Sequence, residues 1–346
     1  SVTVSAGTGP GFPSGTGANK FQVNSTIGDG TQAVTLSSFS LLSNGNQQTI
    51  NTSGGPITTP LEYSFKNPII LAGSDEWISA SGSGVSVGGV AQEQAVTYTG
   101  SITGVGGATA NSNLWLGIDN AGGAGTIVLG DATTSQYKYS GATIIVQGNG
   151  NNGSPNNSLI RIGQDNILPS GTTLQFGSTI NQPKVAVAPI DLNGHTLTVG
   201  ALNVVTTNAN VPLFVNAGVG ATPAPASLIV DSGSDSSTTT FSGQIGRTDV
   251  ANIKPFNVEA PYVGNTTLSS DITLTKAGAS NLVLTNVNPY TGNTNVNGGT
   301  LTLASSYGTA STPGTISNTV GGDVIVNNGA VLATAGGNST AYWSAA

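Results

Sequence analysis

The stretch "NPYTGNTNVNGGTLTL", Asn288–Leu303, holds no charged side chain, four asparagines, the pair Gly298–Gly299 and a closing alternation of Thr with Leu. A period of two puts Leu301 and Leu303 on one side of a strand and Thr300 and Thr302 on the other. The β-branched threonines favour the extended backbone. Gly298 and Gly299 supply corner angles that a Cβ resists, and Asn tolerates them too. The stretch reads as a tight corner and a short strand with its leucines facing inward.

The same pattern recurs on either side. "TIVLG" (126–130), "TIIVQG" (143–148), "LIRIG" (159–163), "TLQFG" (173–177), "HTLTVG" (195–200), "SLIVDSG" (227–233), "DITLTKAG" (271–278), "NLVLTN" (281–286) and "DVIVNNG" (323–329) are short strand patterns closed by Gly or Asn. No run of eleven or more residues has apolar positions at helical spacing. Such strands suit a sandwich, a barrel or a solenoid.

Internal repetition chooses among them. In "IVLGDATTSQYKYSGATIIVQG" (127–148) and "LVLTNVNPYTGNTNVNGG" (282–299), Leu129 matches Leu284, Tyr139 matches Tyr290, Gly141 matches Gly292 and Thr143 matches Thr294. "YTGSITG" (98–104) echoes "FSGQIG" (241–246), again at an offset of about 150 residues. Repeated strands that cannot bury their own apolar side point to a β-solenoid, in which each coil covers the next. At roughly 20–25 residues per coil and about 4.8 Å per strand spacing, the rod is expected to be on the order of 65–85 Å long. Its core is expected to be dry and aliphatic from about residue 126 to 337, and Asn and Thr columns to form hydrogen-bonded ladders along the axis.

"LTKAGASNLVLTNVNPYTGNTNVNGGTLTLAS" (274–305) resembles the autotransporter-associated β-strand repeat of bacterial passenger domains, which reads Thr-Lys-x-Gly, a Leu-x-Leu strand, Tyr-(Thr/Ser)-Gly-x-Thr and a Gly-Thr-Leu strand. "NILPSGTTLQFG" (166–177), "IDLNGHTLTVGAL" (190–202) and "TTFSGQIG" (239–246) resemble segments that accompany it, so the likeness extends over about residues 95–335. The resemblance implies a right-handed parallel β-helix exported and displayed outside a bacterial cell. One departure is that no C-terminal outer-membrane barrel follows "AYWSAA". An excised passenger, or a secreted protein built from the same repeat, is the expectation.

Composition narrows the partners. Charged residues make up 7% of the 346, the net charge is −7, and the arginines are Arg161 and Arg247 alone, so nucleic acid is not an expected partner. No apolar stretch is long enough for a transmembrane helix. The chain opens on "SVTVSAG" without a basic, apolar leader, and it contains no Met, as a processed or excised segment would. The absence of Cys excludes disulfides and thiolate chemistry.

Candidate chemical groups are sparse. The single histidine, His195, follows Asp191 by four residues in "DLNGHTL", a spacing open to a catalytic or metal pair, but one imidazole after Asn193–Gly194 reads better as a corner residue. "GVSVG" (84–88) fits the nucleophile elbow and "GNGNNG" (148–153) the dinucleotide fingerprint; with 50 Gly, chance matches are expected, and neither has its helix. Polysaccharide lyases and hydrolases on β-helices need clustered carboxylates. Here Asp119, Asp131, Asp165 and Asp191 stand singly at strand ends, with only Asp75–Glu76 and the looser Asp231 and Asp235 as neighbours. "GIDN", "GQDN" and "IGDG" suit calcium corners but lack a tandem array. Asn24, Asn51, Asn152, Asn156, Asn265 and Asn338 head glycosylation-type triplets, which so Ser/Thr/Asn-rich a chain makes by chance. Trp77, Trp115 and Trp343 lie far apart in sequence, which favours packing over sugar stacking.

The sequence thus predicts an all-β, right-handed parallel β-helix (a β-solenoid), an elongated rod. It divides into an N-terminal strand and flexible linker (1–19), N-terminal β-rich coils (20–110) and a repeat-bearing β-helix (111–346) expected to be continuous with them in one rod. No catalytic, cofactor-binding or metal-binding residue is expected, and no enzymatic activity. The expected function is an extracellular structural subunit that assembles head to tail, its N-terminal strand adding to the C-terminal coil of a neighbour. Alternatives are an adhesin or glycan-binding passenger, with "GSPNNS" (153–158) or residues 60–95 as the patch, and, behind it, a polysaccharide-degrading enzyme.

Overall fold

A computed structural model describes residues 24–27, 30–36, 41–44, 61–72, 76–81, 85–87, 90–92, 94–105, 112–119, 125–147, 159–177, 189–205, 212–216, 224–246, 270–286, 288–304 and 322–335. The described residues form strands and turns and no helix. Every described strand pair is parallel except one hairpin, Val85–Val87 with Val90–Gln92. Parallel pairing between successive passes of one chain is the signature of a coil stacked on a coil, so the fold is a parallel β-helix.

The chain visits three faces in turn. The first is one eight-stranded sheet, from Asn24–Ile27 through Leu61–Phe65, Gln94–Tyr98, Gly125–Leu129, Leu159–Ile162, Ile190–Asp191 and Leu213–Val215 to Gln244–Ile245. The second begins with Val34–Leu36, Ile69–Leu71 and Ile102–Gly104. Single bonds carry it on: Thr103 bridges Lys138, the Tyr137 amide donates to Ile167, and the Asn166 amide donates to Thr196. It then continues as Thr196–Val199, Ala226–Asp231, Ile272–Ala277, Thr294–Val296 and Val324–Val326. The third face is a six-stranded sheet from Leu41–Asn44 to Ala201–Val204, followed by a four-stranded sheet from Thr238–Phe241 to Val331–Ala335.

Coil length departs from expectation. Register partners are 30 residues apart at Ile160 and Ile190 and 31 apart at Thr196 and Ser227. They are 20 apart at Leu274 and Thr294, and 46 apart at Leu228 and Leu274. The coil that contains the opening stretch has the expected 20 residues, and the step from Ile190 to Phe214 takes 24. Elsewhere more chain is spent between strands. With ten described strands on the third face, the described part of the stack rises roughly 43 Å at about 4.8 Å per step. Between residues 24 and 335 the described levels are thus fewer than roughly 20–25 residues per coil would give, because most coils are longer.

Alternation fills the interior as the patterns require. Ile272, Leu274, Leu282, Leu284, Val296 and Leu301 are buried in one apolar cluster that runs back to Phe65. Leu303 packs against it half-buried, and Thr302, placed outward by the pattern, is nearly covered while its hydroxyl donates to Asn281 at 2.9 Å. The cluster is less aliphatic than expected. Phe176, Phe214 and Phe241 meet with ring centroids 5.6–5.7 Å apart, and Tyr98, Tyr137, Tyr139 and Tyr290 are buried. Rings thus share the interior with Val, Leu and Ile, in the short coil at Tyr290 as well as in the longer ones.

Candidate functional site

Most of the hydroxyl, amide and carboxylate side chains with partners sit at or beside the corners, so the corners are where a site would be. The pattern Tyr139-Ser-Gly141-Ala-Thr143 and its echo Tyr290-Thr-Gly292-Asn-Thr294 fold alike. In each the buried tyrosine hydroxyl bonds the buried threonine four residues on, Tyr139 to Thr143 at 2.5 Å and Tyr290 to Thr294 at 2.7 Å. Tyr98-Thr-Gly100-Ser-Ile102 and Phe241-Ser-Gly243-Gln-Ile245 are apolar versions, with Ile at the fifth position. A Cβ on Gly141 would lie 2.3 Å from the Ser112 carbonyl oxygen of the coil before, and one on Gly292 2.6 Å from that of Ile272. The glycine is needed for closeness of coil to coil. The four copies occupy all three corners of the cross-section: Tyr98 leaves the first face, Tyr139 the second, Phe241 the third, and Tyr290 precedes the second. The echoes in the sequence are therefore one corner module used at different corners, and Leu129 and Leu284 fall on different faces.

Asparagine side chains staple neighbouring coils. Asn288, buried between Tyr290 and the end of the first sheet, accepts the Ile245 amide at 2.9 Å, and so closes that sheet with a side chain instead of a strand. Asn216 accepts from Gly194 at 2.8 Å and donates to the carbonyls of Ala224 and Asp271. Asn327 donates to Asn297 at 2.7 Å, a rung of the expected Asn ladder. Of the opening glycine pair only Gly299 takes a positive φ, +61°; Gly298 leaves room for Gly278 in the coil beneath.

Some charged groups also join coils, and others close their own turns. Asp191 is buried and pairs with Arg161, Nε to Oδ2 2.7 Å, while its Oδ1 accepts the Asn193 amide at 2.9 Å. The expectation that Asp191 stands alone is corrected: a register of thirty residues sets it beside Arg161 on the neighbouring strand. His195 turns to Asp165 of the coil below, Nδ1 to Oδ1 3.1 Å, and that same oxygen accepts the Thr196 amide at 2.9 Å. It is thus a half-exposed corner residue, as its position after Asn193–Gly194 suggested. Asp131 bonds Thr133 and Thr134. Partial desolvation works against its charge, but these hydrogen bonds outweigh it and hold its carboxyl below the usual range. Asp235 is likewise lowered, by the backbone and hydroxyl of Ser237.

Sequence reasoning missed Lys276. It sits at an inward position of Ile272–Ala277, fully buried, and its ammonium donates to the carbonyls of Ala277, Gly278 and Gly298. Desolvation lowers its pKa, and the charge of Asp231 opposes that shift. Its signal in the sequence was a lysine at an apolar position of the alternation I-T-L-T-K. Burial raises the Tyr290 hydroxyl to about 12, with the Thr294 bond opposing, and raises Tyr98, Tyr137 and Tyr139 further.

The remaining candidates resolve plainly. Ser86 of "GVSVG" lies within the hairpin strand Val85–Val87 opposite Ala91, which is not a strand-to-helix elbow. Trp77 and Trp115 are distant in sequence yet share one register position on adjacent coils. Trp115 is buried with Ile144 in a small cluster outside the main core, so packing holds for it. "GNGNNG" (148–153), "GSPNNS" (153–158), Asp75, Trp343 and residues 1–19 lie outside the described residues. Among the described residues no three His, Asp or Glu side chains converge as metal ligands, and no helix is long and apolar enough to cross a membrane.

Neither the curated proteins nor the solved structures give a match to this chain. The family model of the passenger-associated-transport-repeat matches residues 274–303. Those residues run from the strand Ile272–Ala277 to the strand Thr300–Ala304, and include the buried Lys276, the Asn288 staple and the Tyr290 corner. Residues 274–303 thus match a passenger-associated-transport-repeat, and they span the 20-residue coil from Leu274 to Thr294 of a parallel β-helix and the start of the next pass.

Proposed function

We propose that the chain is an extracellular structural rod of the bacterial surface, a passenger-type subunit that assembles head to tail into a filament or fibre. The observation that supports it is continuity: parallel pairing runs from Asn24–Ile27 to Val331–Ala335, and the polar groups of the corners are spent on binding coil to coil. A scaffold in which Arg161, Asp191, Asp165, His195 and Lys276 are tied into its own lattice suits load-bearing or spacing work. In this reading the N-terminal end of one copy adds to the coil "DVIVNNGAVLATAGG" (323–337) of a neighbour. Electron microscopy of the purified chain tests it. Filaments are expected; a chain that stays monomeric at high concentration, or glycan-degrading activity lost on Asp231→Asn, would overturn the structural reading.

A second reading, glycan or surface adhesion, is favoured by one feature. The hairpin Val85–Val87/Val90–Gln92 interrupts the regular winding between the third and first faces. Binding to a glycan panel that disappears when residues 82–93 are replaced by a short Gly/Ser linker would support it.

A further inference from the structure

Large apolar side chains exposed on the described residues concentrate at one place. Ile325 (44%), Val326 (43%) and Val331 (49%) all belong to the last described coil, with Val105 the remaining exposed one. Val326 continues the column Val199, Val230, Lys276 and Val296, each fully buried by the coil that follows it. Val326 occupies the same inward column and differs only in having no described coil above it. The outer edges of Val324–Val326 and Val331–Ala335 pair with no described strand. Apolar surface and unpaired strand edges coincide there, and each alone favours association.

We infer that this coil is the docking face for the first coil of a second copy of the chain, Val34–Leu36 with Leu41–Asn44. The inference rests on the head-to-tail reading above and names the surfaces that meet. The fit is one of spacing. In the last coil a three-residue strand on the second face, Val324–Val326, is followed after four residues by the third-face strand starting at Val331. In the first coil Val34–Leu36 is followed after four residues by the strand starting at Leu41. Spacing varies along the rest of the stack: the second coil, Ile69–Leu71 to Glu76–Ser81, again has four residues, but one residue separates Thr196–Val199 from Ala201–Val204, and three separate Thr294–Val296 from Thr300–Ala304. The two terminal elbows thus superpose strand on strand with Val34 opposite Val324, Leu36 opposite Val326 and Leu41 opposite Val331. Val34 and Leu36 stand in register with the buried Ile69 and Leu71, so the apolar columns of one copy would run on into the next. Residues 31–44 and 324–335 contain no charge, so nothing repels across the junction. All strands point the same way, which makes the contact heterologous and open-ended.

The absence of cysteine makes the test clean. Thr35→Cys and Ile325→Cys, both at exposed positions, would face each other at about one strand spacing, within disulfide reach. The two single-cysteine proteins, each shown to melt like the parent, are mixed under mild oxidation. The expected product is the mixed dimer, linked from position 35 of one copy to position 325 of the other, in at least tenfold excess over either homodimer. Val326→Asp in the Ile325→Cys protein should cut that yield tenfold or more. Predominant homodimers of the Ile325→Cys protein, or no cross-link at concentrations where the parent forms oligomers, would overturn the inference. So would loss of the mixed dimer on deleting residues 1–19, which would assign the contact to the tethered strand and leave the filament reading standing.

Discussion

Replacing Gly292 by Ala isolates what the corner module does. A Cβ at this position would stand 2.6 Å from the Ile272 carbonyl oxygen, 2.7 Å from its carbon and 2.8 Å from the Thr273 nitrogen. All three atoms are backbone, so no side chain can rotate away, and the coils must part locally by about 0.6–0.8 Å to reach ordinary contact. Two bonds cross that junction, Thr291 to Ser270 at 2.8 Å and Leu274 to Asn293 at 2.9 Å. Overpacking costs about 1–3 kcal/mol, and each bond lost or stretched about 0.5–1.5 kcal/mol. Restricting the unfolded chain returns about 0.4–1 kcal/mol. The net expectation is a loss of about 2–4 kcal/mol. Gly171→Ala is the control, because a Cβ there meets nothing within 4 Å and its φ is not positive; it should be neutral or slightly stabilising. Urea unfolding of both variants, with amide exchange read at Leu274 and Thr291, measures the difference. Equal stability of the two variants would refute the claim that the module exists to bring coils close.

Leu284→Asp should cost several kcal/mol, because the side chain is fully buried and a carboxylate there has no cation; unchanged thermal stability would show the inward assignment to be wrong. Asn288→Ala should cost about 1–3 kcal/mol, because it strips the buried Ile245 amide of its acceptor, and faster exchange at that one amide is the check. Asp131 has a lowered folded pKa, so its contribution is present above the unfolded value of about 3.9 and is lost as pH falls through the folded value. Protection of the Thr133 and Thr134 amides should fall on acidification in the parent and be insensitive to pH in Asp131→Asn.

What the sequence disclosed, and what it hid, follows from range. Alternation is local, so Leu274, Leu282, Leu284 and Leu301 were legible as inward and the parallel β-helix followed from their recurrence. The repeat echoes were legible as well, but not that Tyr139 and Tyr290 turn different corners, since composition carries no record of which face a strand joins. Register is the quantity that short-range patterns lack. Without it Trp77 and Trp115 read as unrelated, and so did Arg161 and Asp191, although each pair lies side by side on neighbouring strands. Lys276 was hidden for a different reason. Its charge contradicts the inward position that the alternation assigns, and only the carbonyls of Gly278 and Gly298, twenty residues apart, resolve the conflict.

The Arg161–Asp191 pair is where that missing register can be tested. Like charges in one column would repel at every step of the stack, a reason for so few charges in the chain. Here the column runs Val128, Arg161, Asp191, Val215, with one cation and one anion on adjacent strands and apolar residues on both sides. A slip of one residue between those strands would face each charge with Ile or Leu and leave both buried without a partner, so the pair penalises wrong registers. It need not add stability over an apolar pair to do so, since desolvation of both ions offsets much of their attraction. The double-mutant cycle separates these contributions. Asp191→Asn keeps an acceptor for the Asn193 amide but takes the anion from the guanidinium, and should cost about 3–5 kcal/mol. Arg161→Met leaves a buried carboxylate and should cost a similar amount. The double variant removes both charges and keeps the turn, so it should return to within about 1–2 kcal/mol of the parent, a coupling well above the threshold for independent sites. Additive losses would mean that the two charges do not lock the register of the first sheet.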